Sequence, residues 1–244
     1  MNKYVLNYIH LCLYLICFIS CYYTAYRHHF ISIPCSIVLG WCLYAFVTVG
    51  HDCMHQNFSA YPVLNRILAT IFLNGILMPT YLWQEEHSAH HADPGNPHDT
   101  MLLDGATFFL QFVNLLKSQK TLTIMENLAK VPLLVALLFL PLYCLPIVWI
   151  TMILSFIYLS LTPHITHPHL RLQTKEQRSY SKHIAWNIFP KSHFYTFLAG
   201  GLNIHGCHHE NPRWTRLQLM QQASATEYMT IDTLEGFVTL VYLQ

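Results

Sequence analysis

Eight histidines fall into three tight groups in this chain. They are His51 and His55 in His51-Asp52-Cys53-Met54-His55, then His87, His90 and His91 in His87-Ser88-Ala89-His90-His91, then His205, His208 and His209 in His205-Gly206-Cys207-His208-His209. Residues three and four apart share one face of a helix, so each group can aim its imidazoles at a common point. Neutral imidazole is the commonest protein metal ligand. One such group alone reads as a polar helix end with satisfied core histidines; three together predict a metal site. A tetrahedral zinc takes about four ligands, so eight imidazoles predict two ions. All eight are expected to be ligands and catalytic residues.

Adjacent histidines divide the ligands between those ions. On a helix of about 3.6 residues per turn, neighbours such as His90 and His91 point roughly 100° apart. They cannot readily serve the same ion while His87 also does. Each H-x-x-H-H group is therefore expected to feed both metals.

Those groups need elements to hold them, and composition says where. Charged residues make up 10% of the 244 residues and the mean hydropathy is +0.32, whereas soluble folds carry about a quarter charged residues. The chain reads as an integral membrane protein. A net charge near +1 and the lack of a basic stripe set nucleic acid aside as a partner. Eight cysteines show no recurring paired spacing and read as reduced thiols, with Cys53 and Cys207 filling gaps inside the histidine groups. The apolar run from Val5 keeps its tyrosines and lacks a small-residue cleavage site, which predicts a retained helix rather than a signal peptide.

Residues 5–26 form the first expected crossing, closed by Arg27, His28 and His29, and residues 30–50 form the second, which delivers the first histidine group at its end. Residues 64–82 are apolar but broken by Asn65, Arg66, Asn74, Gly75 and Pro79. They are expected as a buried or interface-lying helix, because a crossing there would put the first two groups on opposite sides of the membrane. Residues 92–99 read as a turn-rich connector, with Asp93 and Asp99 available as outer acceptors, and residues 107–127 as a surface helix. The charge-free stretch 131–161, punctuated by Pro132, Pro141 and Pro146, predicts two short crossings. Under this arrangement every Lys and Arg except Arg27 falls on one side, Arg213 and Arg216 included, and such a side is cytoplasmic. The expectation is one all-α domain over residues 1–244: an integral membrane four-helix architecture with a cytoplasmic helical cap holding the two-metal site, and both termini cytoplasmic.

In the order and spacing of its three histidine boxes, the two-crossing gap before the last, and its small size, the chain resembles the membrane fatty acid desaturase superfamily, which also contains carotenoid ketolases and hydroxylases. The resemblance covers nearly the whole chain. It implies two non-haem iron ions, molecular oxygen as co-substrate, and attack on an unactivated C–H bond of a lipid. Soluble di-iron bundles use Glu ligands with Glu-x-x-His motifs, and no carboxylate repeats at that spacing here, so the ligand set is nearly all histidine and its metals are more electron-poor. Asp52, Glu86 and Glu210 adjoin ligand positions, where they either orient the outer ring nitrogens or stand as solvated helix-end charges. The stretch Glu210-Asn211-Pro212-Arg213-Trp214 resembles acyl-lipid desaturases, while the length and Pro163-His164 resemble carotenoid ketolases. An acyl-lipid desaturase is expected, with a carotenoid ketolase or hydroxylase as the alternative.

The family typically adds one more histidine upstream of the third box, which implies His164 as a ninth ligand, with His167 second and His169 and His183 left to solvent. No iron–sulfur cysteine cluster, dinucleotide fingerprint or appended haem domain is present in the sequence. An external electron donor such as a ferredoxin or small cytochrome is therefore expected, docking near Arg171, Lys175, Arg178 and Lys182. Among rival readings, a membrane zinc hydrolase needs a glutamate where Asp52 stands. A haem protein would place its ligands singly at membrane depth, and a non-catalytic metal carrier of the same fold would lack oxygen-dependent turnover.

Overall fold

A computed structural model describes residues 2–75, 80–92, 150, 153–154, 187–189, 191–225 and 230–231. Two long helices come first, α1 (Val5–Arg27) and α2 (Ser32–Met54), joined by a 3-10 turn at His29–Ile31. Each has 23 residues, about 34 Å at 1.5 Å per residue, against a bilayer core of about 30 Å. Among the described residues these are the two helices long and apolar enough to cross a membrane. Pro34 sits in the first turn of α2, where its missing N–H costs nothing. On α1, Asn7, His10, Tyr14 and Ala25 turn inward while Ile9, Ile16, Ile19 and Tyr23 are exposed, an apolar outer face suited to lipid.

The second helix runs past residue 50, where the expected crossing ends. It continues to Met54, so His51 and Asp52 are buried inside its last turns and His55 caps it. Neutral imidazoles and small thiols are compatible with a packed helix, and polarity alone does not end one.

The apolar stretch 64–82, expected as one helix, contributes to two: α3 (Pro62–Gly75) and α4 (Thr80–Ala92). Helix α3 starts beside the first histidine group, where Asn65 Nδ2 donates to Ser59 O at 3.0 Å, and runs back along α2. Phe72 stacks on Phe46 with ring centroids 5.0 Å apart, and Leu73 packs with Val47 and Trp83. A Cβ at Gly50 would lie 3.0 Å from Leu73 Cγ, so glycine there lets the two helices approach. Helix α4 then returns and brings His87, His90 and His91 to the first group. An out-and-back helix pair thus meets the same-side requirement that the sequence raised, and Val63, Ile67 and Ile71 form the exposed apolar face of α3.

The later described elements are β1 (Asn187–Ile188), α5 (His193–Leu198), α6 (His205–Glu210), α7 (Arg216–Ala225) and β2 (Thr230–Ile231). The strands pair in parallel, Asn187 opposite Thr230 and Ile188 opposite Ile231. This pair is an addition to the helical expectation; two residues are too few for alternation to register in sequence. The connector over 93–99 and the surface helix over 107–127 lie outside the described residues, as does nearly all of the 131–161 stretch read as two crossings.

Helix α5 docks the third histidine group onto the first two helices. Tyr14 Oη donates to Phe197 O at 2.8 Å, Trp41 Nε1 to Leu198 O at 2.7 Å and Tyr44 Oη to Ala199 O at 3.0 Å. Side chains of α1 and α2 thus meet three carbonyls at a helix end, where the regular helical bonds run out; Phe197 O and Ala199 O also accept from Gly200 N and Leu202 N. The chain then turns through Gly200 and Gly201, at φ +62° and +87°, the left-handed region that only glycine enters freely. Asn203 Nδ2 fixes the turn to Ile188 O at 3.0 Å, and Asn187 Oδ1 accepts from Cys207 N at 3.3 Å, which sets the start of α6. The seven described cysteines are free, in keeping with reduced thiols, and Cys53 and Cys207 pack in the core.

Candidate metal centre

The structure brings all eight box histidines to one place and divides them into two clusters. His51, His55, His87, His91 and His208 form one, and His90, His205 and His209 the other, with the potential ligand atoms of each cluster within 4.8 Å of one another. The i, i+4 pairs stay together, while the middle histidine of each H-x-x-H-H group crosses to the opposite cluster. Neighbours on α4, His90 and His91, therefore belong to different clusters, and so do His208 and His209 on α6. Helix geometry produces this division, since consecutive side chains diverge by roughly 100°.

Ring nitrogens converge at distances that suit a shared ion. Nε2 of His87 lies 2.9 Å from Nε2 of His55 and 3.0 Å from that of His91. In the second cluster, Nε2 of His209 lies 3.2 Å from His90 and 3.1 Å from His205. Two nitrogens bonded to one ion at about 2.1 Å stand about 3.0 Å apart at a right angle and about 3.4 Å apart at the tetrahedral angle. The observed separations match the edges of such polyhedra. Moreover, Nε2 of His51 and of His208 are buried without a hydrogen-bond partner, an arrangement that a metal bond would satisfy. The donor set is compatible with a metal site. His164, His167, His169 and His183 lie outside the described residues.

Burial keeps four of these rings neutral, as ligands must be. It holds the His55 imidazole down to about 2 and that of His91 to about 3, with His51 adding to both, and it carries His87 and His208 well below the ordinary value. In an unfolded chain the same rings titrate near pH ~6.5. The unfolded state then binds more protons below that pH, so the stability these groups contribute is complete above ~6.5 and is lost as pH falls toward ~3. The metal-free protein is expected to show a thermal midpoint that drops steadily below pH ~6.5; a midpoint unchanged down to pH ~4 would contradict this protonation account.

Of the three carboxylates beside ligand positions, Asp52 takes the orienting role: its Oδ1 lies 3.1 Å from His51 Nδ1. Glu210 is exposed at the end of α6, and Glu86 is half-buried. Two neighbours escaped the sequence reading. Trp83 stacks on His87 at 4.2 Å and meets His51 edge-on at 5.4 Å, forming an apolar wall. Arg216, assigned by the sequence to a cationic cytoplasmic face, is instead buried at 2% exposure and paired with Asp52. The available signals were a lone arginine among Leu and Met in α7 and a box carboxylate in need of a cation.

Helices long enough to cross a membrane, with two imidazole clusters gathered at one end, make up a histidine-box membrane protein. A family profile described as fatty acid desaturase matches residues 28–130, which include the first two boxes. Curated relatives match over shorter stretches. They include an endoplasmic-reticulum omega-3 fatty acid desaturase of Nicotiana tabacum, 36% identical over 24% of this chain and 16% of its own length. A ferredoxin-type sn-1 acyl-lipid omega-3 desaturase of a Nostoc species is 37% identical over 25% of this chain and 17% of its own. A cytochrome b5-type acyl-lipid omega-3 desaturase of Arabidopsis thaliana is 37% identical over 23% and 15%. The matched stretch thus spans about one-sixth of each relative. Over residues 28–130 the chain is thus similar to the fatty acid desaturase family.

Proposed function

We propose that the chain is an oxygen-dependent desaturase that holds two iron ions in its two histidine clusters and introduces a double bond into a lipid acyl chain. The observation that carries this reading is the convergence of eight imidazoles into clusters of five and three, with Nε2 separations of 2.9–3.2 Å. Iron in such a pair of sites supplies the reduction of molecular oxygen and the removal of hydrogen from an unactivated C–H bond. The chain's own residues supply the rest. Burial keeps His55, His87, His91 and His208 neutral, Asp52 orients His51, and Trp83 walls the five-histidine cluster against water. His164 is proposed to bring the three-histidine cluster to four ligands.

The same reading includes a single domain over residues 1–244, four crossings, a cytoplasmic helical cap and cytoplasmic termini. It is supported by the apolar face of α1 and by the out-and-back pair that keeps the first two boxes on one side. Electrons are proposed to come from a separate carrier, and relatives whose names specify ferredoxin or cytochrome b5 support that class of donor. Expression in a host that makes both unsaturated lipids and carotenoids tests the substrate. A new acyl double bond, missing from a His90→Ala control, is expected. A changed carotenoid profile with unchanged acyl chains would move the function to carotenoid oxidation, and two profiles equal to the control would contradict the enzyme reading.

A further inference from the structure

We propose that Arg216 and Asp52 form a buried charge pair that positions His51 in the five-histidine cluster, so that a residue on α7, remote from all three boxes in type and role, governs one of the two metal sites. The inference rests on the metal-binding reading above. Arg216 is among the largest fully buried side chains, and its guanidinium donates in three directions. Nε donates to Asp52 Oδ2 at 2.7 Å, Nη1 faces His10 Nδ1 at 3.3 Å and Tyr14 Oη at 3.4 Å, and Nη2 donates to Thr48 Oγ1 at 3.3 Å. Helices α1, α2 and α7 meet at this one group.

The other oxygen of Asp52 carries the effect to the metal centre. An ionised carboxylate only accepts hydrogen bonds, so Oδ1 at 3.1 Å keeps the proton of His51 on Nδ1 and leaves the lone pair on Nε2. That Nε2 is the buried atom without a hydrogen-bond partner, and His51 belongs to the five-histidine cluster. A carboxylate at 7% exposure needs a compensating charge, and Arg216 provides it from 164 residues away in sequence. The backbone is shaped to admit the group: a Cβ at Gly201 would lie 2.9 Å from Arg216 Nε. Lysine, a single ammonium on a flexible stem, cannot reproduce the fork that reaches Asp52, Tyr14 and Thr48 together.

A pair that merely locked three helices would affect both metal sites alike, whereas positioning of His51 affects one. The three-histidine cluster uses no residue of this network and serves as the internal control. The full chain in detergent, stripped of metal, is titrated with cobalt(II), whose visible absorption and bound stoichiometry report each site. Wild type is expected to bind two ions. Asp52→Asn is expected to keep one at wild-type affinity and to bind the other about 10–100-fold more weakly, the same site that His51→Ala loses. Because one buried charge left alone can unfold a protein, Asp52→Asn/Arg216→Gln, which removes both, is measured beside it and should show the same selective loss, as should Arg216→Lys. Two ions bound at wild-type affinity in these variants would overturn the proposal, and so would loss of both ions together in the charge-neutral double variant. A wild-type chain that binds no cobalt would instead overturn the metal-binding reading itself, and this inference with it.

Discussion

Replacing His208 with alanine is expected to lower turnover by at least about a hundredfold, taking the loss for an outer metal-site partner as the floor, while leaving the chain in the membrane. His208 is 3% exposed, and its ring centroid lies 4.5 Å from that of His51, 4.7 Å from His55 and 5.0 Å from His91. It comes from the third box yet completes the cluster formed by the first two. Its loss should therefore remove the ion of the five-histidine cluster and spare the other, whereas His209→Ala should do the reverse. Metal content and acyl-chain products of the two variants check this together. Full turnover in either variant would contradict the division of ligands.

Gly200→Ala should act first on the fold. At φ +62° an L-residue is strained, and the added Cβ would overlap Thr48 Oγ1, which accepts from Arg216 Nη2 at 3.3 Å and donates to Ala45 O at 2.8 Å. The left-handed backbone and the overlap together should cost about 2–4 kcal/mol, read as a lowered thermal midpoint in detergent with the three boxes intact in sequence. A midpoint equal to wild type would mean that the turn before the third box is not packed against α2 as described.

What could be read from the sequence was local. The three boxes declare themselves because imidazoles three and four apart on a helix must share a face, and the divergence of adjacent histidines was enough to anticipate that His90 and His91 would part. The first long helix, read as 5–26, is Val5–Arg27. What escaped was set by distant partners or by short elements. Arg216 looked like an ordinary cytoplasmic cation because Asp52 is 164 residues away. His51 and Asp52, beyond the expected crossing at 30–50, look polar, although burial and pairing make them interior residues of α2. The stretch 64–82 is expected as one helix although Asn74 and Gly75, at the end of α3, and Pro79, just before α4, are visible in it. Tyr14, Trp41 and Tyr44 each donate to a carbonyl at the end of α5, a partner more than 150 residues away that no local pattern announces.

Metal analysis of the purified chain tests the central claim most directly. Protein isolated from membranes under reducing, anaerobic conditions and assayed by plasma emission should contain two irons per chain, falling to one in His208→Ala. A preparation that holds one zinc and no iron would contradict the account.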